Sequence, residues 1–186
     1  MMKKRIVQIM VPLVILLAIG GIWMVKNGGE DFGLGNNPVA DTNGSENQAT
    51  GMASEDFQLE AKAIDLEALK GHGLPVIIDF GADSCEPCKK MAPVLVKLNE
   101  EMKGKAIIKF VDVWKNSGAA KDFPVQVIPT QVFIQADGTP YIPGDHLNIR
   151  FDIYEYRDTG EHAFTVHQGG LTEEELRLIL EDMGAV

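Results

Sequence analysis

The sequence predicts an α/β domain in which helices cover a mixed β-sheet. Two almost continuous apolar runs, residues 75–82 and 106–113, are typical of strands that are buried on both faces of a sheet. Apolar residues at helical spacing lie between these runs and again at residues 176–183. Strand patterns that alternate with helix patterns in this way indicate a sheet with helices packed on its faces.

The remaining elements are assigned in chain order from their apolar patterns. A helix is expected from about residue 85 to residue 102, with a kink at Pro93. A capping box at residues 172–175 opens the last amphipathic helix. The other expected elements are an edge strand at 57–61, short helices at 64–73 and 116–123, and strands at 129–136, 147–153 and 163–167.

Charge is distributed unevenly along the chain. Its 186 residues include 17 basic and 27 acidic ones, and every acidic residue lies from Glu30 onward. Beyond Lys26 the chain carries 13 basic against 27 acidic groups, a formal charge of −14. Phosphate binding requires clustered Lys and Arg, so this balance argues against nucleic acid as a partner.

The N-terminal region contains a predicted membrane anchor. Residues 6–25 form a stretch of 20 residues without charge, and basic residues at positions 3–5 precede it. About 20 apolar residues span a bilayer core as a helix, and a basic flank stays in the cytoplasm. A cleaved signal peptide and a buried core helix are the alternatives. The signal peptide fits less well because the apolar core is long and a poor cleavage site follows it.

Three regions are therefore predicted. They are an anchor or signal segment at 1–26, a flexible linker rich in Gly and Asn at 27–54, and a folded domain at 55–186. The folded domain is expected outside the cytoplasm, in the periplasm or at the cell surface. Disulfide chemistry persists in those compartments.

Cys85 and Cys88 are the only two cysteines, and they lie at the junction of a predicted strand and helix. At a helix N-terminus the free N–H groups and the helix dipole stabilise a thiolate, and a second cysteine one turn deeper can form a disulfide with it. Pro87 suits the first helical turn, where its missing N–H costs nothing. Zinc, which needs about four ligands, and a purely structural disulfide are the alternatives. The four histidines are scattered, so the pattern favours a redox dithiol without a metal.

The segment VIIDFGADSCEPCKKMAP, residues 76–93, resembles the strand, dithiol and helix of the thioredoxin family. Asp79 lies six residues before Cys85, at the family's spacing. The segment VIPTQVFIQADG, residues 127–138, resembles the part of the family that carries a cis-proline, and Gly169 matches a glycine before the last helix. The resemblance covers roughly residues 55–186 and implies a thioredoxin-like fold.

The resemblance also implies an insertion and a set of catalytic residues. Additional residues at about 139–162 are expected to form an extra strand or hairpin before the last strand, which either covers a sheet edge or docks a partner. Cys85 is the expected nucleophile and Cys88 the resolving thiol. Asp79 is expected to be a buried carboxylate with a raised pKa that accepts the proton of Cys88. Pro129 is expected to be cis beside the dithiol.

Four further residues are candidates for binding at the site: Glu86, Pro87, Ile128 and Lys109. Lys109 falls where the family places a lysine near the aspartate, although an outward-pointing charge is the alternative. Glu86 is expected to hold the pKa of the Cys85 thiol higher than in strongly oxidising relatives, which favours a reductant. Ser84 stands where the family has tryptophan.

The sequence therefore predicts an extracytoplasmic, membrane-anchored enzyme that reduces protein disulfides through Cys85 and Cys88. The motif CEPC, residues 85–88, resembles that of membrane-anchored thioredoxin-like proteins that reduce apocytochrome c during cytochrome c maturation. Protein disulfides are the expected substrates and a membrane thiol carrier the expected electron donor. No cofactor is expected beyond the redox disulfide. The alternatives are a disulfide-forming oxidant or isomerase, and a metal- or haem-handling module that uses the dithiol as a ligand.

Overall fold

The computed structural model describes residues 55–185. The predicted anchor at 1–26 and linker at 27–54 lie outside the described residues. Within the described part of the chain, no helix has both the length and the apolar character needed to span a membrane.

The described residues form a five-stranded mixed sheet with helices on both faces, as the sequence predicts. The strand order is β2-β1-β3-β5-β4, in which β1 and β2 are parallel and the other neighbours are antiparallel. In chain order the elements are α1 (Leu66–Lys70), β1 (Val76–Gly81), α2 (Glu86–Glu101), β2 (Ile107–Asp112), a 3-10 helix (Ser117–Ala120), β3 (Thr130–Ile134), β4 (Asp152–Glu155), β5 (His162–Gln168) and α3 (Glu173–Asp182).

Two apolar cores, one on each face of the sheet, explain the continuous apolar runs of the central strands. All six residues of β1 are buried, and alternate side chains point to opposite faces. Ile77 packs with α2 and α3 on one face, whereas Ile78 packs with Leu69 of α1 on the other. The α2 helix continues through Pro93, and the predicted capping box opens α3. Asp79 therefore points to the face that α2 covers.

The edge strand predicted at 57–61 is wrong. Only one isolated bridge, Glu60 with Phe110, joins this segment to the sheet. The Lys109 ammonium donates hydrogen bonds to the carbonyl oxygens of Glu55, Asp56 and Gln58, at 2.9, 3.4 and 2.6 Å. Of these three carbonyls only that of Gln58 belongs to the predicted strand, and it accepts from this side chain instead of from a neighbouring strand.

The inserted segment does add a strand, but a shorter one than predicted. β4 pairs only with β5 and forms an edge of the sheet, as expected for the insertion. The predicted strand at 147–153 is reduced to Asp152–Glu155. Its first apolar residues pack on the core between the sheet, α2 and α3 without joining a ladder, and the Phe151 ring lies edge-on to Phe133 at 5.6 Å. The alternation there comes from an irregular segment that lies against the surface of the core, with its apolar residues turned inward and its polar residues exposed.

Tyr141, at the start of the insertion, fastens this segment to α3. Its side chain is wholly buried, and its hydroxyl donates to Asp182. The Gly144 backbone N–H donates to the same carboxylate at 3.0 Å.

Tyr141→Phe is expected to lower the free energy of unfolding by about 1.5–3 kcal/mol, because the Asp182 carboxylate loses a hydrogen-bond donor. Denaturant titration of the full chain measures this change. Tyr156→Phe removes a hydroxyl from an exposed tyrosine and should stay within about 0.5 kcal/mol of the parent protein. Equal losses in the two variants would contradict this role for Tyr141.

Candidate active site at the dithiol

Cys85 and Cys88 lie where β1 ends and α2 begins, and they form a disulfide with Cα atoms 5.2 Å apart. Cys85 is the N-cap of α2, and its Sγ accepts a hydrogen bond from the Cys88 backbone N–H at 3.4 Å. The same N–H group and the helix dipole are placed to stabilise a Cys85 thiolate after reduction. Pro87 lies in the first helical turn, as predicted. Cys85 is 9% exposed and Cys88 3%, so Cys85 is the more accessible sulfur.

The Ile128–Pro129 peptide bond is cis, which confirms the prediction. Ile128 packs against the dithiol, and its carbonyl oxygen lies 4.0 Å from Cys85 Sγ. The Gly169 backbone N–H donates to the Pro129 carbonyl at 2.9 Å and so ties this loop to the end of β5. The structure therefore brings Ile128 and Pro129 to the face of the dithiol.

Asp79 is fully buried in β1, and its charge is poorly compensated there. Desolvation raises its pKa from 3.8 to about 7, and a hydrogen bond from the Gln131 side chain partly opposes this rise. That hydrogen bond joins Gln131 Nε2 to Asp79 Oδ1 at 2.6 Å. A carboxyl group with a pKa near neutrality can accept and release a proton at physiological pH.

The other carboxyl oxygen of Asp79, Oδ2, and the sulfur of Cys88 lie on the same side of Gly81. A Cβ placed on Gly81 would lie 3.4 Å from Asp79 Oδ2 and 3.2 Å from Cys88 Sγ. It would also come within 2.9 Å of the Phe110 ring, closer than real Cβ atoms approach. Glycine at this position therefore leaves room for the Phe110 ring beside the carboxyl and the resolving sulfur.

Lys109 does not accompany Asp79, and that prediction is wrong. In the parallel ladder Lys109 pairs with Ile78, whereas Asp79 pairs with Phe110. Paired residues share a face of the sheet, so the Lys109 side chain lies on the face opposite to Asp79. Lys109 is buried and organises the backbone before β1 instead.

Glu86 has a weaker electrostatic role than the sequence indicates. Its carboxylate accepts a hydrogen bond from Lys89 Nζ at 2.7 Å, and this contact lowers the pKa of Glu86. The charge beside Cys85 is thus largely compensated by a lysine one helical turn away, and both side chains are exposed to solvent. Glu86 therefore adds little uncompensated negative charge beside Cys85.

Two residues that the sequence analysis did not single out support the site. Gln131 is wholly buried inside β3, and a polar residue directly before the apolar run VFI of a predicted strand is the signal that could have identified it. Asp112 ends β2, and its carboxylate accepts backbone N–H groups from Asp83, Trp114 and Lys115 at 3.1, 3.0 and 3.0 Å. Asp112 thereby holds the loop that leads to Cys85.

Metal ligation was the main alternative for the dithiol. Across residues 55–185, no three or more His, Cys, Asp or Glu side chains are arranged to hold a metal ion. The absence of a metal and of a cofactor stays a prediction.

A dithiol at a helix N-terminus, a cis-proline beside it and a buried carboxyl below it define a class of thiol–disulfide exchange proteins. The thioredoxin family profile matches residues 58–144. Thioredoxin H4 of Arabidopsis thaliana is 34% identical over 91 residues, which cover 46% of this chain and 76% of the plant protein. Thioredoxin 1 of Chlorobaculum tepidum is 44% identical over 69 residues, or 37% and 67% of the two chains.

The chain belongs to the thioredoxin family and is a thiol–disulfide oxidoreductase with a close Cys-x-x-Cys pair. Among solved structures, chloroplastic thioredoxin z superposes with a TM-score of 0.47 and 23% identity, over 69% of this chain and 95% of that one.

Proposed function

We propose that this protein is a membrane-tethered, extracytoplasmic reductase of protein disulfides. The observation that carries the reductive direction is the Asp79 carboxyl, which is buried next to the resolving cysteine. A reductase must deprotonate Cys88 before Cys88 can attack the mixed disulfide, because the thiolate is the nucleophile. Asp79 supplies a base at that place.

The reaction begins from the reduced dithiol. The Cys85 thiolate attacks one sulfur of the substrate disulfide, forms a mixed disulfide, and releases the first substrate thiolate. Cys88 then attacks Cys85 Sγ, which re-forms the protein disulfide and releases the second substrate thiolate. The two substrate sulfurs gain two electrons and two protons, and the protein dithiol loses both.

Asp79 acts in the second half of this sequence. Its carboxylate takes the proton of the Cys88 thiol as that sulfur becomes a nucleophile. The pKa of Asp79, raised to about 7 by burial, makes it a stronger base than an exposed aspartate. The cis-proline loop presents the Ile128 carbonyl next to Cys85, where an extended substrate segment would lie.

The N-terminal sequence supports the proposed location. The uncharged residues 6–25, with basic residues before them, are typical of an anchor whose C-terminal side leaves the cytoplasm. Soluble NADPH-linked reductases are absent there, so a membrane thiol carrier is the proposed electron donor. The likeness of CEPC to the apocytochrome c reductases makes proteins that receive haem the proposed substrates.

The reduction potential of the full chain tests the direction of the reaction. Equilibrated with glutathione in detergent, the Cys85–Cys88 couple is expected near −270 mV, the value of thioredoxin. A potential near −120 mV, typical of a strong oxidant, would overturn the reductant and favour the disulfide-forming alternative.

Location is tested by fusing alkaline phosphatase to the C-terminus, because this enzyme is active only after export from the bacterial cytoplasm. The fusion is expected to be active, and the same fusion without residues 6–25 is expected to be inactive. Equal activity of the two fusions, or an inactive full-length fusion, would overturn the proposed location.

A further inference from the structure

A buried glutamine is in contact with the buried carboxyl. Gln131 and Asp79 are both wholly inaccessible to solvent, and they pair across β3 and β1. Gln131 Nε2 donates to Asp79 Oδ1 at 2.6 Å. No hydrogen-bond partner within residues 55–185 is available to Asp79 Oδ2 or to Gln131 Oε1.

The fold alone gives no reason for this glutamine. The other residues of β3 from Val132 to Ile134 are buried and apolar, and burying an amide whose hydrogen bonds are incomplete is unfavourable. An aliphatic side chain would fill the same position without that cost. We therefore look for the role of Gln131 in its hydrogen bond to Asp79.

We propose that Gln131 is a positioning residue: its amide holds Asp79 Oδ1, so that Oδ2 is left facing Cys88 Sγ and receives the proton of that thiol. This inference rests on the proton transfer proposed above. Oδ2 and Cys88 Sγ border the same position next to Gly81, at 3.4 and 3.2 Å from where a Cβ on that residue would lie. The Gln131 hydrogen bond can persist when Oδ2 is protonated, because Oδ1 then remains an acceptor.

The hydrogen bond from Gln131 is the main polar contact of the Asp79 carboxyl. Besides Gln131 from β3, the groups that face it are Cys88 from α2 and the apolar Phe110 ring from β2. The charged side chains Glu60, Asp83 and Lys89 line a cleft of about 150 Å³ next to Cys88. Burial and the Gln131 hydrogen bond are the causes that set the pKa of Asp79.

Gln131→Met tests the proposal because methionine has a similar length but no N–H donor. The Asp79 carboxylate then loses its charge-assisted hydrogen bond, so the titration midpoint of Asp79 is expected to rise by about one pH unit. Carbon-13 NMR of the full chain in detergent, reduced and labelled at the aspartate carboxyls, measures that midpoint directly.

Single-turnover kinetics supply a second readout. Reduced protein is mixed with insulin, quenched with acid, and alkylated so that mixed disulfide and oxidised protein are separated. At a pH below the midpoint, Gln131→Met is expected to slow the resolution of the mixed disulfide about tenfold, and the loss should shrink as the pH rises. A merely structural role would lower the rate equally at every pH.

The matched control is Gln168→Met, a half-buried glutamine of the neighbouring strand whose amide donates to the Tyr154 hydroxyl. It should leave both the Asp79 midpoint and the pH profile unchanged. Gln131→Met behaving like this control would overturn the inference alone. An unchanged pH profile in Asp79→Asn would instead overturn the proton transfer itself, and this inference with it.

Discussion

Replacing Cys88 by serine is expected to abolish turnover and to leave the protein covalently joined to its substrate. Cys85 keeps its place at the N-terminus of α2 and still attacks a substrate disulfide. Serine cannot attack the resulting mixed disulfide, so the complex accumulates. Non-reducing electrophoresis of intact membranes that contain the full chain measures the trapped species, and the substrates can be identified from it.

Cys85→Ser is the matched control for this trap. It removes the more accessible sulfur and leaves Cys88, which is 3% exposed. This variant is expected to be inactive and to trap nothing, because no nucleophile remains that a protein disulfide can reach. Mixed disulfides that form through Cys88 in Cys85→Ser, or equal trapping by both variants, would show that the nucleophile is assigned wrongly.

The dithiol and the buried aspartate were predictable because both lie in one short contiguous segment, whereas the cis-proline was expected only from the family resemblance. The spacing of Asp79, Cys85 and Cys88 is set within one strand and one turn of helix. A helix that opens with a cap and a proline in its first turn is equally local. Their relative positions follow as soon as the strand and the helix form.

The partners of Asp79 across the sheet could not be predicted in this way. Whether Lys109 or Phe110 lies beside Asp79 depends on the register between β1 and β2, and a shift of one residue moves every side chain to the other face. Gln131 likewise reaches Asp79 only through the antiparallel pairing of β1 with β3. Both contacts join residues far apart in the chain, so spacing within one segment carries no information on them.

The edge strand predicted at 57–61 is missing for a similar reason, because a contact with a residue far along the chain changes the local structure. Residues 57–61 alternate as a strand would, but the ammonium of Lys109 binds the carbonyls of the preceding backbone. These contacts come from a side chain 54 and 51 residues further along the chain, so the local pattern of residues 57–61 carries no sign of them.

Asp79→Asn is expected to stabilise the oxidised protein at pH 8. The pKa of Asp79 is about 7 in the folded protein and 3.8 in the unfolded reference. The stability that the protonated carboxyl contributes is fully present below pH 3.8, and it is lost as the pH rises toward 7, because the unfolded chain gives up this proton first. A difference of about three pH units corresponds to about 4 kcal/mol. Asparagine stays neutral and avoids this loss.

The measurement is the difference in unfolding free energy between the parent protein and Asp79→Asn at pH 5 and at pH 8, with the disulfide intact. The difference should grow by about 2.6 kcal/mol between pH 5 and pH 8, because roughly two of the three pH units of the shift lie in that interval. Asp158→Asn makes the same change on an exposed turn and should shift stability by no more than about 0.5 kcal/mol. A difference for Asp79→Asn that is flat between pH 5 and pH 8 would contradict the raised pKa.

The same variant is expected to resolve mixed disulfides more slowly, because Cys88 loses its base. We expect Asp79→Asn to raise the unfolding free energy and to slow the resolution of mixed disulfides. This combination is expected where a buried carboxyl is needed for the reaction but destabilises the folded protein. If Asp79→Asn is more stable and resolves mixed disulfides as fast as the parent protein, Asp79 destabilises the fold without contributing to the reaction. The two measurements on one substitution therefore separate the electrostatic effect of burying Asp79 from its role in proton transfer.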